Sequence, residues 1–262
     1  MKTVHGHIPR KRFGQNFLHD PGIVARILAA VDARPGQRLV EIGPGLGAIT
    51  LPLLRACGRL EAVELDRDLI PRLVEQARGV GELVIHHGDV LDFDFAALAG
   101  SGEKLRLVGN LPYNISTPLL FHLLAQAHAI ADMHFMLQKE VVERMAAGPG
   151  EEAYSRLSVM VQYRCRVQPL FLIRPGAFNP PPKVDSAFVR LLPHPRPPVA
   201  VADETRFAQV VQLAFGQRRK TLRNSLKGLL ESSAIAACGI DPGARPQTLS
   251  LPQFAALANA IG

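Results

Sequence analysis

The sequence predicts an α/β protein: a mostly parallel sheet of seven strands with helices between them, followed by a small helical domain. Three observations lead there. From Leu39 to about Leu192, short apolar runs alternate with amphipathic stretches, the pattern of repeated strand and helix units. A glycine-rich turn, Gly43-Pro44-Gly45-Leu46-Gly47, closes the first of these runs, where an open parallel α/β sheet meets its ligand. Finally, Pro193, Pro195, Pro197 and Pro198 interrupt the pattern with little apolar content to bury, and the residues beyond them have helical periodicity.

The strand candidates are Arg38–Ile42, Leu60–Glu64, Leu83–His86, Leu105–Gly109, His134–Gln138, Val167–Ile173 and Ala187–Leu192. Helices are expected at Thr50–Ala56, Leu69–Ala77, Thr117–Ala127 and Glu140–Ala147. A Pro-rich loop, Pro175 to Lys183, joins the last two strands, so a late hairpin should place an antiparallel strand on the parallel sheet. Asp203 caps a helix through Phe215, a basic helix is expected at about Lys220–Leu230, and Leu251–Ile261 closes a small bundle. The expected domains are therefore 1–195 and 200–262, with the linker at about 193–200.

Composition narrows the class. With 47% hydrophobic and 20% charged residues and no repeats, disordered, collagen-like and coiled-coil readings are excluded. The longest uncharged stretch, Leu107 to Ala131, is broken by Gly109, Asn110, Pro112, Asn114 and Pro118, so it does not read as a membrane span. Cys57, Cys165 and Cys238 show neither a disulfide framework nor metal-ligand spacing, which fits a cytoplasmic setting. His86 and His87 are consecutive on a strand and face opposite ways, so no metal is assigned. The net charge of +7 is concentrated in two acid-free clusters: Lys2, Arg10, Lys11 and Arg12 near the start, and Arg218, Arg219, Lys220, Arg223 and Lys227 in the tail. Their spacing points to a polyanionic partner such as nucleic acid, the tail cluster lining one helix face. A solubilising surface is the plain alternative.

The loop from Glu41 to Gly47 has the form G-x-G-x-G rather than the dinucleotide G-x-G-x-x-G, and is similar to the first motif of S-adenosylmethionine-dependent methyltransferases. Glu64 ends the second strand, where a carboxylate can accept both ribose hydroxyls. Asp89 follows the third strand and can accept from an adenine amino group. Each acid alone reads as a loop carboxylate or cap; together, at successive strand ends, they mark a ligand edge.

After the fourth strand comes Asn110-Leu111-Pro112-Tyr113, which resembles the N/D-P-P-Y/F loop of amino-methyltransferases. An exocyclic adenine amine is a poor nucleophile because its lone pair is delocalised into the ring. Two acceptors on its hydrogens favour the pyramidal state and aim the lone pair, which is catalysis by orientation and electrostatics. The Asn110 side-chain oxygen and the Leu111 carbonyl fit that task, Pro112 holds Leu111 extended, and Tyr113 can stack on the base. No strong general base is needed, since the methylated amine is acidic enough to lose a proton to water.

Five segments stand in order: Arg12–Leu18 (R-F-G-Q-N-F-L), Glu41–Gly47, Asn110–Ser116, Asn179–Ser186 (N-P-P-P-K-V-D-S) and Phe215–Lys220 (F-G-Q-R-R-K). Together they resemble the bacterial small-subunit ribosomal-RNA adenine dimethyltransferases over nearly the whole chain, with no departure at the motif positions. The resemblance implies a Rossmann-like class I fold, S-adenosyl-L-methionine as cofactor, and dimethylation of two adjacent adenosines in a hairpin loop near the 3′ end of small-subunit rRNA. It implies an immature small-subunit particle as substrate, and a monomer is expected. Asn16 and Leu18 would close over the cofactor, with Gly43, Gly45, Glu64, Asp89 and Asn110 completing its contacts. Phe178 would stack opposite Tyr113. Arg10, Lys11, Arg12, Lys183, Arg218, Arg219, Lys220 and Arg223 would contact RNA. The alternatives are a large-subunit or DNA adenine methylase, an assembly factor whose binding is its main task, and, from the glycine loop alone, a nicotinamide dehydrogenase.

Overall fold

Leucine and valine runs that are buried on both faces form the middle of a parallel sheet, because only covered strands tolerate continuous apolar sequence. The computed structural model describes residues 15–217 and 219–261. Its elements are β1 (Phe17–Leu18), α1 (Pro21–Val31), β2 (Leu39–Ile42), α2 (Thr50–Cys57), β3 (Arg59–Glu64), α3 (Ile70–Ala77), β4 (Glu82–His87), α4 (Phe95–Ala99), β5 (Leu105–Asn110) and α5 (Ser116–Ala125). Then come β6 (Ile130–Gln138), α6 (Lys139–Ala146), α7 (Arg156–Arg164), β7 (Cys165–Ile173), β8 (Phe178–Asn179), β9 (Ser186–Pro193), α8 (Glu204–Gly216), α9 (Leu222–Ser225), α10 (Ser232–Ala237) and α11 (Leu251–Asn259).

The chain divides into two units, one within 1–142 and 168–193, the other within 143–167 and 194–262. In the first, the seven strands run in the order β4-β3-β2-β5-β6-β9-β7. β2 lies between β3 and β5 and is parallel to both, so the chain order reverses across it. The crevice at that switch point, at the carboxyl ends of β2 and β5, is where an open α/β sheet binds ligands. β9 is antiparallel to β6, as the Pro-rich connection predicts. Asp20 caps α1, accepting the Ile23 N–H at 3.0 Å, and Pro21 begins the helix.

Gly109 carries a packing requirement: a Cβ there would lie 2.5 Å from the Ile42 carbonyl oxygen of β2, so only glycine lets the two central strands approach.

Two expectations are corrected, and one element is added. The domain break is not a single cut at 193–200, because residues 143–167 belong with the tail. Tyr154, Val159 and Tyr163 share a buried core with Phe207, Val210, Val211, Leu222 and Phe254, and the Tyr163 hydroxyl donates to Glu204 at 2.9 Å. The apolar periodicity of Leu157–Tyr163 therefore serves the second unit although it precedes β7. The basic helix expected at 220–230 is the short α9 alone. The Leu222 and Arg223 N–H groups bond to the Ala244 and Pro242 carbonyls instead of a preceding turn, and Gly228 at φ 86° is left-handed, where a helix stops. Arg219, Lys220, Arg223 and Lys227 are exposed, but on turns and a four-residue helix rather than one helical face. Finally, β1 and β8 form a two-stranded antiparallel ladder, Leu18 opposite Phe178, that short-range periodicity does not reveal.

Candidate active site

The glycine turn leaves β2 with left-handed Gly43, Gly45 and Gly47. Gly45 faces the Phe17 ring, which a Cβ would meet at 3.2 Å, so the turn needs glycine both for its φ of 58° and for that approach. Beside it opens a cavity of about 330 Å³. Asn16, Leu18, Gly43, Gly45, Glu64, Asp89, Asn110, Leu111, Pro112 and Tyr113 all line it, so the structure brings together residues from the ends of four strands and the N-terminal segment.

Glu64 is 6% exposed and accepts the Gly45 N–H at 3.1 Å and the Asp66 N–H at 2.8 Å. Burial raises its pKa, and these backbone donors oppose the shift. Each carboxylate oxygen retains a lone pair for a ligand hydroxyl. Asp89 is exposed at the rim and accepts the Leu91 N–H at 2.9 Å.

The catalytic loop is held by its backbone and its amide. Leu111 N–H donates to the Met136 carbonyl at 3.1 Å and Ile115 N–H to the Pro112 carbonyl at 3.2 Å. Asn110 donates from Nδ2 to the Asn16 carbonyl at 2.8 Å. A carbonyl can only accept, so that bond fixes which end of the amide is nitrogen and leaves Oδ1 as the acceptor. The Tyr113 hydroxyl lies 2.5 Å from Ser186 Oγ. Burial raises the phenol's pKa, the Ser186 hydroxyl opposing it.

Glu41, 1% exposed, also lines the cavity, and neither its carboxyl nor the buried Thr50 hydroxyl beside it makes a hydrogen bond of normal length. Burial pushes Glu41 up to about 8, the Thr50 hydroxyl opposing and the Glu64 carboxylate adding to the rise. A buried, unsatisfied carboxyl facing a cavity is the complement of a ligand cation or donor.

Sequence reasoning gives Glu41 no role of its own, although an acid inside a fully buried strand is a signal for one. It misses Gln15, whose Nε2 donates to the buried Asp66 at 3.0 Å and ties down the segment carrying Asn16. It also misses Ser186 as the partner of Tyr113.

Phe178 is corrected: it is 2% exposed, sits in the core with Leu18, Ile27, Val31 and Phe188, and does not line the cavity, so the structure does not set it opposite Tyr113. Lys183 is exposed to solvent, and Arg10, Lys11, Arg12 and Arg218 lie outside the described residues. His86 bonds to Glu61 at 2.8 Å and contacts Phe93, a structural role. Among the described residues no helix is long and apolar enough to cross a membrane.

The family model of the ribosomal RNA adenine dimethylases matches residues 6–262. Relatives called ribosomal RNA small subunit methyltransferase A include one from Chromohalobacter salexigens, 60% identical over 97% of this chain and 92% of the relative. Another, from Pseudomonas aeruginosa, is 59% identical over 100% of this chain and 97% of the relative. Among solved structures, a dimethyladenosine transferase from Plasmodium falciparum aligns with TM-score 0.75 and 26% identity over 92% of this chain and 95% of its own. The 23S rRNA methyltransferase ErmE aligns with TM-score 0.72 and 26% identity over 94% and 99%. The match runs through both units and includes the glycine turn and the Asn110 loop, so the chain belongs to the ribosomal RNA adenine dimethylase family.

Proposed function

We propose that this protein transfers methyl groups from S-adenosyl-L-methionine to the exocyclic amines of adenosines in small-subunit ribosomal RNA, making dimethyladenosine. The substrate we assign is a pair of adjacent adenosines in a hairpin loop near the 3′ end, presented by an immature small-subunit particle to a monomeric enzyme. The observation that carries this reading is the Asn110 amide, locked by the Asn16 carbonyl with its oxygen free to accept, beside Tyr113 in a cavity of a ribosomal RNA adenine dimethylase.

The cavity fits the cofactor. Glu64 takes the ribose hydroxyls, Asp89 the adenine amine, and Glu41, otherwise unsatisfied, the ammonium of the methionine portion. When bound, the cofactor supplies a methyl on a sulfonium, which needs only a correctly aimed nucleophile. The Asn110 oxygen and the Leu111 carbonyl accept the two amine hydrogens, aiming the nitrogen lone pair, and Tyr113 provides one stacking face for the extruded base. Solvent-accessible Lys183, Arg219, Lys220 and Arg223 contact RNA phosphates and position rather than specify.

The test is transfer of labelled methyl to unmethylated small-subunit particles, large-subunit RNA and duplex DNA, with nucleoside mass analysis. Dimethyladenosine in the small-subunit sample alone is the expected result; tight particle binding without transfer would overturn the reading in favour of an assembly factor.

Glu41 couples cofactor binding to proton release. With its pKa pushed up to about 8, the carboxyl is mostly protonated in the empty protein at pH 7. An ammonium beside it favours the carboxylate, so cofactor binding at pH 7 should release nearly one proton, and the release should fade above pH 8. Calorimetric binding enthalpies in buffers of different ionisation enthalpy measure it. Glu41→Gln should abolish the buffer dependence, and a buffer-independent enthalpy in the unaltered protein would remove Glu41 from this role.

A further inference from the structure

We propose that Ser186 is a positioning residue that holds the Tyr113 ring steady enough for one adenine to be methylated twice. This rests on the function proposed above. A phenylalanine ring would stack on a base as well as a tyrosine ring does, so the phenol oxygen at this position calls for a separate purpose.

The structure supplies one. The Tyr113 hydroxyl lies 2.5 Å from Ser186 Oγ, and Ser186 is fully buried. Ser186 opens β9 opposite Gln138 of β6, and the preceding Asp185 carbonyl accepts the Lys139 N–H at 3.0 Å. The serine hydroxyl is therefore mounted on rigid sheet. At its other end Tyr113 is held by its backbone, whose carbonyl accepts from Ser116 Oγ at 3.1 Å. A ring fixed at both ends cannot pivot, whereas a ring fixed only at Cα swings about two side-chain torsions.

The second transfer depends on that rigidity more than the first. An unmodified adenine amine offers two hydrogens, one to Asn110 Oδ1 and one to the Leu111 carbonyl. After the first methyl is attached only one N–H remains, so one of the two orienting hydrogen bonds is gone. The stacking surface must then carry a larger share of the alignment. Ser186 thus bears on product identity, monomethyladenosine against dimethyladenosine, rather than on donor binding.

The experiment is single-turnover methyl transfer to small-subunit particles at saturating cofactor, with monomethyl and dimethyl products resolved by mass, for the unaltered protein, Ser186→Ala, Tyr113→Phe and the double variant. In Ser186→Ala the second transfer should slow about five- to tenfold, the effect of losing one ordinary hydrogen bond, and the first by less than about threefold. Monomethyladenosine should accumulate, and the cofactor Kd, measured by calorimetry on the same variants, should stay unchanged. Tyr113→Phe should reproduce this, and the double variant should add nothing, because both changes remove the same bond. Equal slowing of both transfers, independent effects of the two substitutions, or an unaltered product ratio would each overturn the inference. Should Ser186→Ala fail to fold, Tyr113→Phe, which keeps the ring and the serine, decides alone. Failure of the unaltered protein to dimethylate the particle would instead count against the function itself.

Discussion

Asn110→Ala is expected to slow methyl transfer about 10²–10³-fold at saturating cofactor and particle, the usual loss when one oriented hydrogen-bonding group at a reacting centre is removed. Alanine takes away both uses of the amide. Loss of Oδ1 removes an acceptor that aims the adenine lone pair, which is the larger effect on rate. Loss of Nδ2 removes the 2.8 Å bond to the Asn16 carbonyl and loosens the segment over the cavity. That segment stays tied by Gln15 to Asp66, by the β1–β8 ladder and by the His19 N–H bond to the Ala177 carbonyl, so cofactor binding should weaken only a few-fold. Asn110→Asp separates the two uses. It keeps an acceptor facing the base but sets a carboxylate oxygen against the Asn16 carbonyl, two acceptors with no proton between them. Cofactor affinity should therefore fall further in Asn110→Asp than in Asn110→Ala. Rates with saturating cofactor, together with a calorimetric cofactor Kd, distinguish these outcomes; transfer within about threefold of the unaltered protein in Asn110→Ala would remove Asn110 from the mechanism.

The parts of the site that are legible in the sequence are those in which one residue type at one spacing serves few purposes besides ligand binding. The glycine turn, Glu64 at the end of β3 and the Asn110 loop after β5 all fall on one cavity because strand ends on the same edge of a parallel sheet are close in space. The parts that are not legible depend on contacts between distant segments. Ser186 and Tyr113 are separated by 73 positions and Gln15 and Asp66 by 51, and no local pattern encodes either pair. Phe178 differs: its motif suggests a stacking role, whereas the fold buries it beside Leu18 and Phe188, in a two-residue ladder that neither strand is long enough to announce. The tail misleads in a similar way, since basic residues at roughly helical spacing belong to a segment that Gly228 and long-range bonds to Pro242 and Ala244 hold in turns. The domain boundary escapes sequence reading because burial of α7 in the second unit is decided by which core accepts Tyr163 and Val159, a matter of three-dimensional packing.

Asp132→Ala should have the largest effect on stability, because it strips the partner from buried charge in the middle of the sheet. Asp132 is 4% exposed on β6, a strand that the sequence pattern alone begins only at His134. It takes Arg106 in a bidentate pair, Nε at 2.9 Å and Nη2 at 3.0 Å, and Arg190 at 3.1 Å, thereby joining β5, β6 and β9. Arg106 also donates to the Val31 carbonyl at 2.7 Å and to Gln37 at 2.6 Å, so the same guanidinium clamps the end of α1 and the turn into β2. Deleting the carboxylate leaves that guanidinium, only 13% exposed, without its counter-charge, and breaking a pair whose carboxylate is buried typically costs about 3–5 kcal/mol. For a cooperative unit of this size the melting temperature should fall by about 6–20 °C. Asp132→Asn, which keeps the shape and one acceptor, should fall between the two. His134 gives the cluster a pH dependence of its own. Stacked on Phe188, it is pushed down to about 4, chiefly by burial, the Asp132 carboxylate opposing and Arg106 and Arg190 reinforcing the shift. The unfolded chain takes up that proton near pH 6.5 and the folded chain only near 4. The stability this neutral histidine protects is therefore complete above about 6.5 and declines as pH falls toward 4. His134→Phe should flatten this part of the curve when thermal melts are compared between about pH 7.5 and about pH 4.5; a His134→Phe protein with the same acid sensitivity as the unaltered one would assign that sensitivity elsewhere.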